Sequence, residues 1–78
     1  MNKEELSNRQ KVVLDAIKHY TKVNGFSPNI RELCLMCDVT STATIYDHLV
    51  KLEKKGYITR LPGSSRTIKV IKEFDITI

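Results

Sequence analysis

Ser41-Thr-Ala-Thr-Ile-Tyr-Asp-His-Leu-Val-Lys-Leu-Glu-Lys-Lys55, followed by Gly56, is the stretch on which the fold turns. Ser41 can cap a helix, because its hydroxyl accepts from the free amides of a first turn. Gly56 supplies the left-handed residue that commonly ends one, with Lys54 and Lys55 at the negative end of the dipole. Between these signals Ile45, Leu49 and Leu52 recur at i, i+4, i+7, which predicts a helix over about 41–55 with one apolar stripe. At 100° per residue, Ala43, Asp47, Val50 and Lys54 fall opposite that stripe, with Thr44 and Tyr46 on its flanks. The outward face of the first two turns is therefore slim and polar, and the rear is basic. A groove-entering helix needs that profile. A plain amphipathic core helix is the competing reading.

Upstream, Ser7-Asn-Arg-Gln10 has the form of a capping box, and Leu6 before it can staple the helix start. A first helix is expected from there to about Val23, with Val13, Leu14, Ile17 and Tyr20 on one side and Asn24-Gly25 as its breaker. Phe26-Ser27-Pro28 should be extended, because a residue before proline avoids the helical region. Asn29-Ile-Arg-Glu32 is a second box opening a short helix with Leu33 and Cys37 inward. Asp38 stands where a left-handed turn is wanted, which Asp tolerates better than most residues. Two short helices joined by a turn, the second starting on Ser41, have the outline of a helix-turn-helix.

Downstream of Gly56 the period drops to two. Residues 57–61 and 66–71 are rich in β-branched residues and flank Pro62-Gly-Ser-Ser65, which predicts a hairpin. Ile58, Ile68 and Val70 are expected to face the core, and Arg60, Arg66 and Lys69 to project to solvent. The expected fold is α+β, mainly α: three helices and a C-terminal hairpin, a winged helix-turn-helix. Residues 1–78 read as one domain, with a core over 6–71 and a tail over 72–78. Phe74, Ile76 and Ile78 alternate in that tail and can add a strand to the sheet or to a partner chain.

A chain of 78 residues supports one small core and buries only about 60% of its unfolded surface. No apolar run approaches the roughly 20 residues that span a bilayer, and the N-terminus has no signal-peptide pattern, so a soluble cytoplasmic protein is expected. The net charge of +4 is unevenly spread. Residues 1–39 carry six Lys/Arg against five Asp/Glu, and residues 40–72 carry seven against two. The excess thus lies on the stretch around the third helix and hairpin, which points to a polyanionic partner. Lys51, Lys54 and Lys55 read either as a solvated face or as phosphate contacts.

The chain resembles the N-terminal DNA-binding domain of LexA-type SOS repressors. The likeness is carried by Leu6-Ser-x-Arg-Gln10, Gly25-x-x-Pro28, Arg31-Glu-Leu33, Ser41 through His48-Leu49, Leu52-Glu-x-Lys-Gly56 and Gly63-x-Ser-Arg66, in order and in spacing. The resemblance implies a bacterial or phage-type repressor, nucleoid-associated when bound, with its third helix in the major groove and its wing (62–66) on the backbone. It implies base contacts at Ser41, Ala43, Thr44, Tyr46 and Asp47, and phosphate contacts near Arg9, Asn29, Lys55, Ser64, Ser65 and Arg66. Ala43, Tyr46 and Asp47 depart from the polar set of many members, so the operator does not carry over. Neither does the self-cleaving domain into which the family continues.

Other chemistry finds little support. Cys34-Leu-Met-Cys37 has no second Cys/His pair at zinc-finger spacing, and both thiols fall within a short helix, so reduced cysteines packing the core are expected. Asp47 and His48 are adjacent on a helix and point about 100° apart, so they form no dyad. His48 reads as a hydrogen-bonded structural residue at the stripe's edge. No catalytic residue, metal, cofactor or small-molecule substrate is expected. The expected partner is double-stranded DNA, bound as a homodimer on a near-palindromic site. A winged-helix module that docks protein is the alternative, and RNA binding is a weaker third because no aromatic stacking platform is evident.

Overall fold

The computed structural model describes residues 6–61, 63 and 66–71, so Ser64, Ser65 and the tail after Ile71 lie outside the described residues. The chain runs through α1 (Asn8–Asn24), α2 (Ile30–Met36), α3 (Thr42–Lys54), β1 (Ile58–Thr59) and β2 (Lys69–Val70). Three helices and an antiparallel hairpin in this order are the winged helix-turn-helix that the sequence predicts.

Local signals set the helix ends. Ser7 Oγ accepts from the Gln10 amide at 3.2 Å, and Gln10 Oε1 accepts from the Ser7 amide at 3.1 Å. Asn29 and Glu32 make the same reciprocal pair, both bonds at 2.8 Å, at the start of α2. Each box satisfies two of the amides that a helix start leaves without partners. At the other end of α3, Gly56 has φ +84°. Its amide donates to Glu53 O, and the Tyr57 amide donates to Leu52 O, both at 3.0 Å. These two bonds form a Schellman closure, which turns the chain out of the helix and into β1.

Val13, Leu14 and Ile17 of α1 meet Leu33 of α2 and the Ile45–Leu49–Leu52 stripe of α3, and all seven are buried. Leu6, Tyr57 and Ile58 close the cluster from the flanks. α3 packs on both other helices and on β1, so its inner face is fixed from three sides.

Two expectations need correction here. In α2 Cys34 is buried beside Leu33, and Cys37, half-buried and packed against the core as expected, is the C-cap residue rather than part of the helix. The helix stops at Met36, and Asp38 takes the left-handed conformation at φ +57° expected of it, so Cys37 lies in the turn. The hairpin ladder is also shorter than predicted, pairing only Ile58 with Val70 and Thr59 with Lys69. The Leu61 amide donates to Thr67 Oγ1 at 3.0 Å, so a side chain replaces the next rung. Arg66 has φ +58°, which no extended strand can contain.

Candidate nucleic-acid interface

The outer face of α3 begins at Ser41, whose hydroxyl accepts from the Thr44 amide at 3.4 Å. Ser41, Ala43, Thr44, Tyr46 and Asp47 are all exposed, as the helical winding requires. Asp47 forms an i,i+4 ion pair with Lys51 at 3.1 Å, and both side chains are more than half exposed. A pair this wet contributes little and separates readily when a better partner arrives. The slim polar front predicted from the sequence is thus present and open.

The basic groups around it divide into two sets. At the C-terminal end of α3, Lys54 is exposed, and Lys55 Nζ donates to Gln10 Oε1 at 2.9 Å. That bond brings the end of α3 to the first turn of α1, where Arg9 is exposed. Gln10 thereby serves two elements at once, a role its capping motif alone does not reveal.

The second set lies on the hairpin. Arg66 does not simply project to solvent. Its Nη2 donates to Glu32 Oε2 at 2.9 Å, and its Nη1 donates to Ser27 O at 3.2 Å and to Tyr20 Oη at 3.3 Å. Its guanidinium carbon stands 4.8 Å from the Phe26 ring centroid, and Tyr20 packs edge-on to Phe26. Tyr20 also donates to Glu32 Oε2 at 2.9 Å. Chiefly through the Arg66 hydrogen bond, and also through the Asn29 amide, the Glu32 carboxyl is held below its ordinary value of 4.5. The same Glu32 bond pushes the Arg66 guanidinium further up. Tyr20, Phe26, Ser27 and Glu32 therefore anchor the base of the wing to α1 and α2.

Arg60 also departs from expectation. Its side chain is only 13% exposed, with the guanidinium carbon 4.6 Å from the Tyr46 ring centroid and Nε 3.5 Å from Glu53 Oε1. The reason is strand alternation: Arg60 shares the face of Ile58, not that of Thr59. The Glu53 contact is an ion pair rather than a well-formed hydrogen bond, since Nε has no hydrogen-bond partner.

Asn29 is half-buried, with its Oδ1 engaged in the α2 cap. Both cysteines are free thiols, and Cys34 Sγ donates weakly to Ser41 O at 3.8 Å. Burial, reinforced by Cys34, pushes the Cys37 thiol up, which disfavours the thiolate that metal or disulfide chemistry needs. Among the described residues no group of three His, Cys, Asp or Glu is placed to hold a metal ion. His48 differs from its expected hydrogen-bonded role: its Nδ1 is buried and has no hydrogen-bond partner among the described residues. Among those residues, too, no helix is long and apolar enough to cross a membrane.

An open polar helix face, set on a helix-turn-helix and flanked by a basic hairpin, defines the winged-helix class of DNA-binding domains. The chain matches the family described as the LexA DNA binding domain over residues 3–67, and it belongs to that family. It is 48% identical over 69 residues to the LexA repressor of Thermosipho africanus, covering 88% of this chain and 34% of that protein. With the LexA repressor of Moorella thermoacetica the identity is 40% over 70 residues, covering 90% of this chain and 34% of that protein. The chain spans about a third of the length of these curated relatives.

Proposed function

We propose that this chain reads duplex DNA sequence-specifically as the operator-binding part of a transcriptional repressor, with α3 in the major groove and the hairpin on the adjacent backbone. The observation that carries the reading is the exposed, slim face formed by Ser41, Ala43, Thr44, Tyr46 and Asp47. Basic groups stand at both of its sides. On this reading the methyls of Ala43 and Thr44 suit thymine C5-methyl groups, and Asp47 accepts from cytosine N4 once it leaves Lys51. The hydroxyls of Ser41 and Tyr46 can read either base. Arg9, Asn29, Lys54, Lys55 and Arg66, together with Ser64 and Ser65, hold the backbone; they supply affinity but little sequence information. For Arg66 this requires one N–H edge of the guanidinium to serve phosphate while its bond to Glu32 is kept.

A single module of this kind buries only about 600–1,000 Å² of protein surface on DNA, less than most specific sites need. Two copies on a near-palindrome supply the remainder. Selection from a random duplex library tests the reading: two related half-sites at a fixed spacing should emerge. Enrichment of no motif, with weak and uniform binding to all duplexes, would overturn it in favour of a protein-docking module.

A further inference from the structure

Tyr46 is the one bulky side chain on an otherwise slim reading face, and it is 47% exposed. A tyrosine on a helix has two favoured χ1 wells, so its ring can swing between two directions. Beside the groove-facing side, an open crevice of about 330 Å³ lies between the start of α2, α3 and the hairpin, lined in part by Tyr46, Leu49, Ile30, Arg31, Arg60 and Gly63. What holds the ring is Arg60, whose guanidinium covers its face at 4.6 Å. Arg60 is itself held, because its stem is buried with the strand face of Ile58 and its Nε lies 3.5 Å from Glu53 Oε1 on the same helix as Tyr46. The hairpin thus reaches back across α3 and grips a residue of the reading face.

We infer that Arg60 is a positioning residue for base recognition: by stacking on Tyr46 while paired to Glu53, it fixes the ring conformation with which α3 reads DNA, and so helps to set sequence preference without touching a base. The inference rests on the DNA-reading role proposed above for Tyr46. A cation stacked on an aromatic face is worth little in full solvent and more when partly shielded, as here. Its loss frees the ring from the single direction it holds at the crevice wall, which lowers discrimination at the base pair under Tyr46 and leaves phosphate contacts intact.

The test uses the whole chain and four variants: Tyr46→Ala, Arg60→Leu, Arg60→Lys and the Tyr46→Ala/Arg60→Leu double. Binding is measured to a selected duplex, to single base-pair changes in it, and to random duplex across a salt series. Tyr46→Ala should flatten preference at one position. Arg60→Leu should lower discrimination at that same position roughly threefold to tenfold. The double variant should discriminate no worse than Tyr46→Ala, and Arg60→Lys, which keeps the cation, should recover part of the loss. In the free protein, the Tyr46 ring resonances should shift in Arg60→Leu, while dispersed methyl resonances of buried Ile45, Leu49 and Leu52 show that the variant is folded. A loss shared equally by selected and random duplex, with the salt slope reduced by about 0.9, would overturn the inference by making Arg60 a phosphate contact. Additive losses in the double variant would overturn it as well; both outcomes leave Tyr46 as a base reader. If Tyr46→Ala changes no base preference, the reading role of Tyr46 fails and the inference fails with it.

Discussion

α3 and the hairpin pack side by side, yet the outer part of the hairpin is held by different means from the helix. α3 is fixed by its own apolar stripe, in which Ile45, Leu49 and Leu52 are all at most 1% exposed, and by caps within a few residues of its ends. The hairpin has a ladder of two pairs. Its base is apolar as well, with Tyr57 and Ile58 buried and Ile68 and Val70 packed against the core, but beyond the ladder its order comes from side chains that reach other elements: Arg66 to Glu32, Tyr20 and Ser27, and Arg60 to Tyr46 and Glu53. Hydrophobic burial makes a structure cooperative, since removing one part exposes the rest. Partly hydrated polar ties can open one at a time. α3 should therefore be as stable as the whole domain, and the hairpin beyond its two pairs should loosen on its own.

The strongest test of this contrast is Leu49→Ala. It removes a side chain shared by the whole core, and a cost of about 2–5 kcal/mol is expected, lowering the denaturation midpoint for every probe together. Loss of helix signal without loss of hairpin signal would break the comparison.

Arg66→Ala should act on the hairpin alone. Amide exchange at Leu61 and Ile71 should speed up, while amides of α1 and α3 keep their protection. The same loosening should be reached by acid. The Glu32 carboxyl is depressed when folded, so its contribution is complete above its unfolded value, near 4.5, and disappears as pH falls through the lower folded value. Hairpin protection in the native chain should therefore decline below about pH 4.5, and in Glu32→Gln it should already be low at neutral pH and lose this step. An acid profile identical in native chain and variant would remove Glu32 from the anchor.

Ser41→Ala should have the smallest effect. The cap bond is long at 3.4 Å, and an exposed N-cap of this kind contributes about 0.5–1 kcal/mol. Global melting should move slightly, with no change in hairpin exchange. A larger loss of DNA affinity than of stability would show that the hydroxyl touches DNA.

This difference in how the two halves are held also decides what was legible in the sequence. Ser7, Gln10, Asn29, Glu32, Ser41 and Gly56 act within a few residues of themselves, so their patterns gave the helix limits, and the period of Ile45, Leu49 and Leu52 gave the buried face. The left-handed turn at Asp38 was readable for the same reason. The hairpin's apolar anchors, Ile58, Ile68 and Val70, were readable from strand alternation, but its polar ones were not. Arg66 and Glu32 are 34 residues apart, and no local pattern joins a wing arginine to a helix-capping glutamate. Arg60 lies inward for a simpler reason: strand phase, marked by Ile58 two residues earlier, outweighs the pull of its charge toward solvent. The exposed face of α3 followed from winding alone, but which of its side chains is held still, and by what, depends on contacts made only after folding.

The bond from Lys55 to Gln10 bears on the thermodynamics of association. It ties the last turn of α3 to the first turn of α1, while Ser41 and the buried stripe hold the other end and the inner side. A helix pinned in this way has already lost its rotational and sliding freedom in the unbound protein. Association then carries no backbone ordering entropy from α3, only that of its exposed side chains, of the DNA and of whatever the hairpin still has to lose. The heat capacity change on binding should accordingly follow the apolar surface buried in the groove, without the excess that accompanies coupled folding.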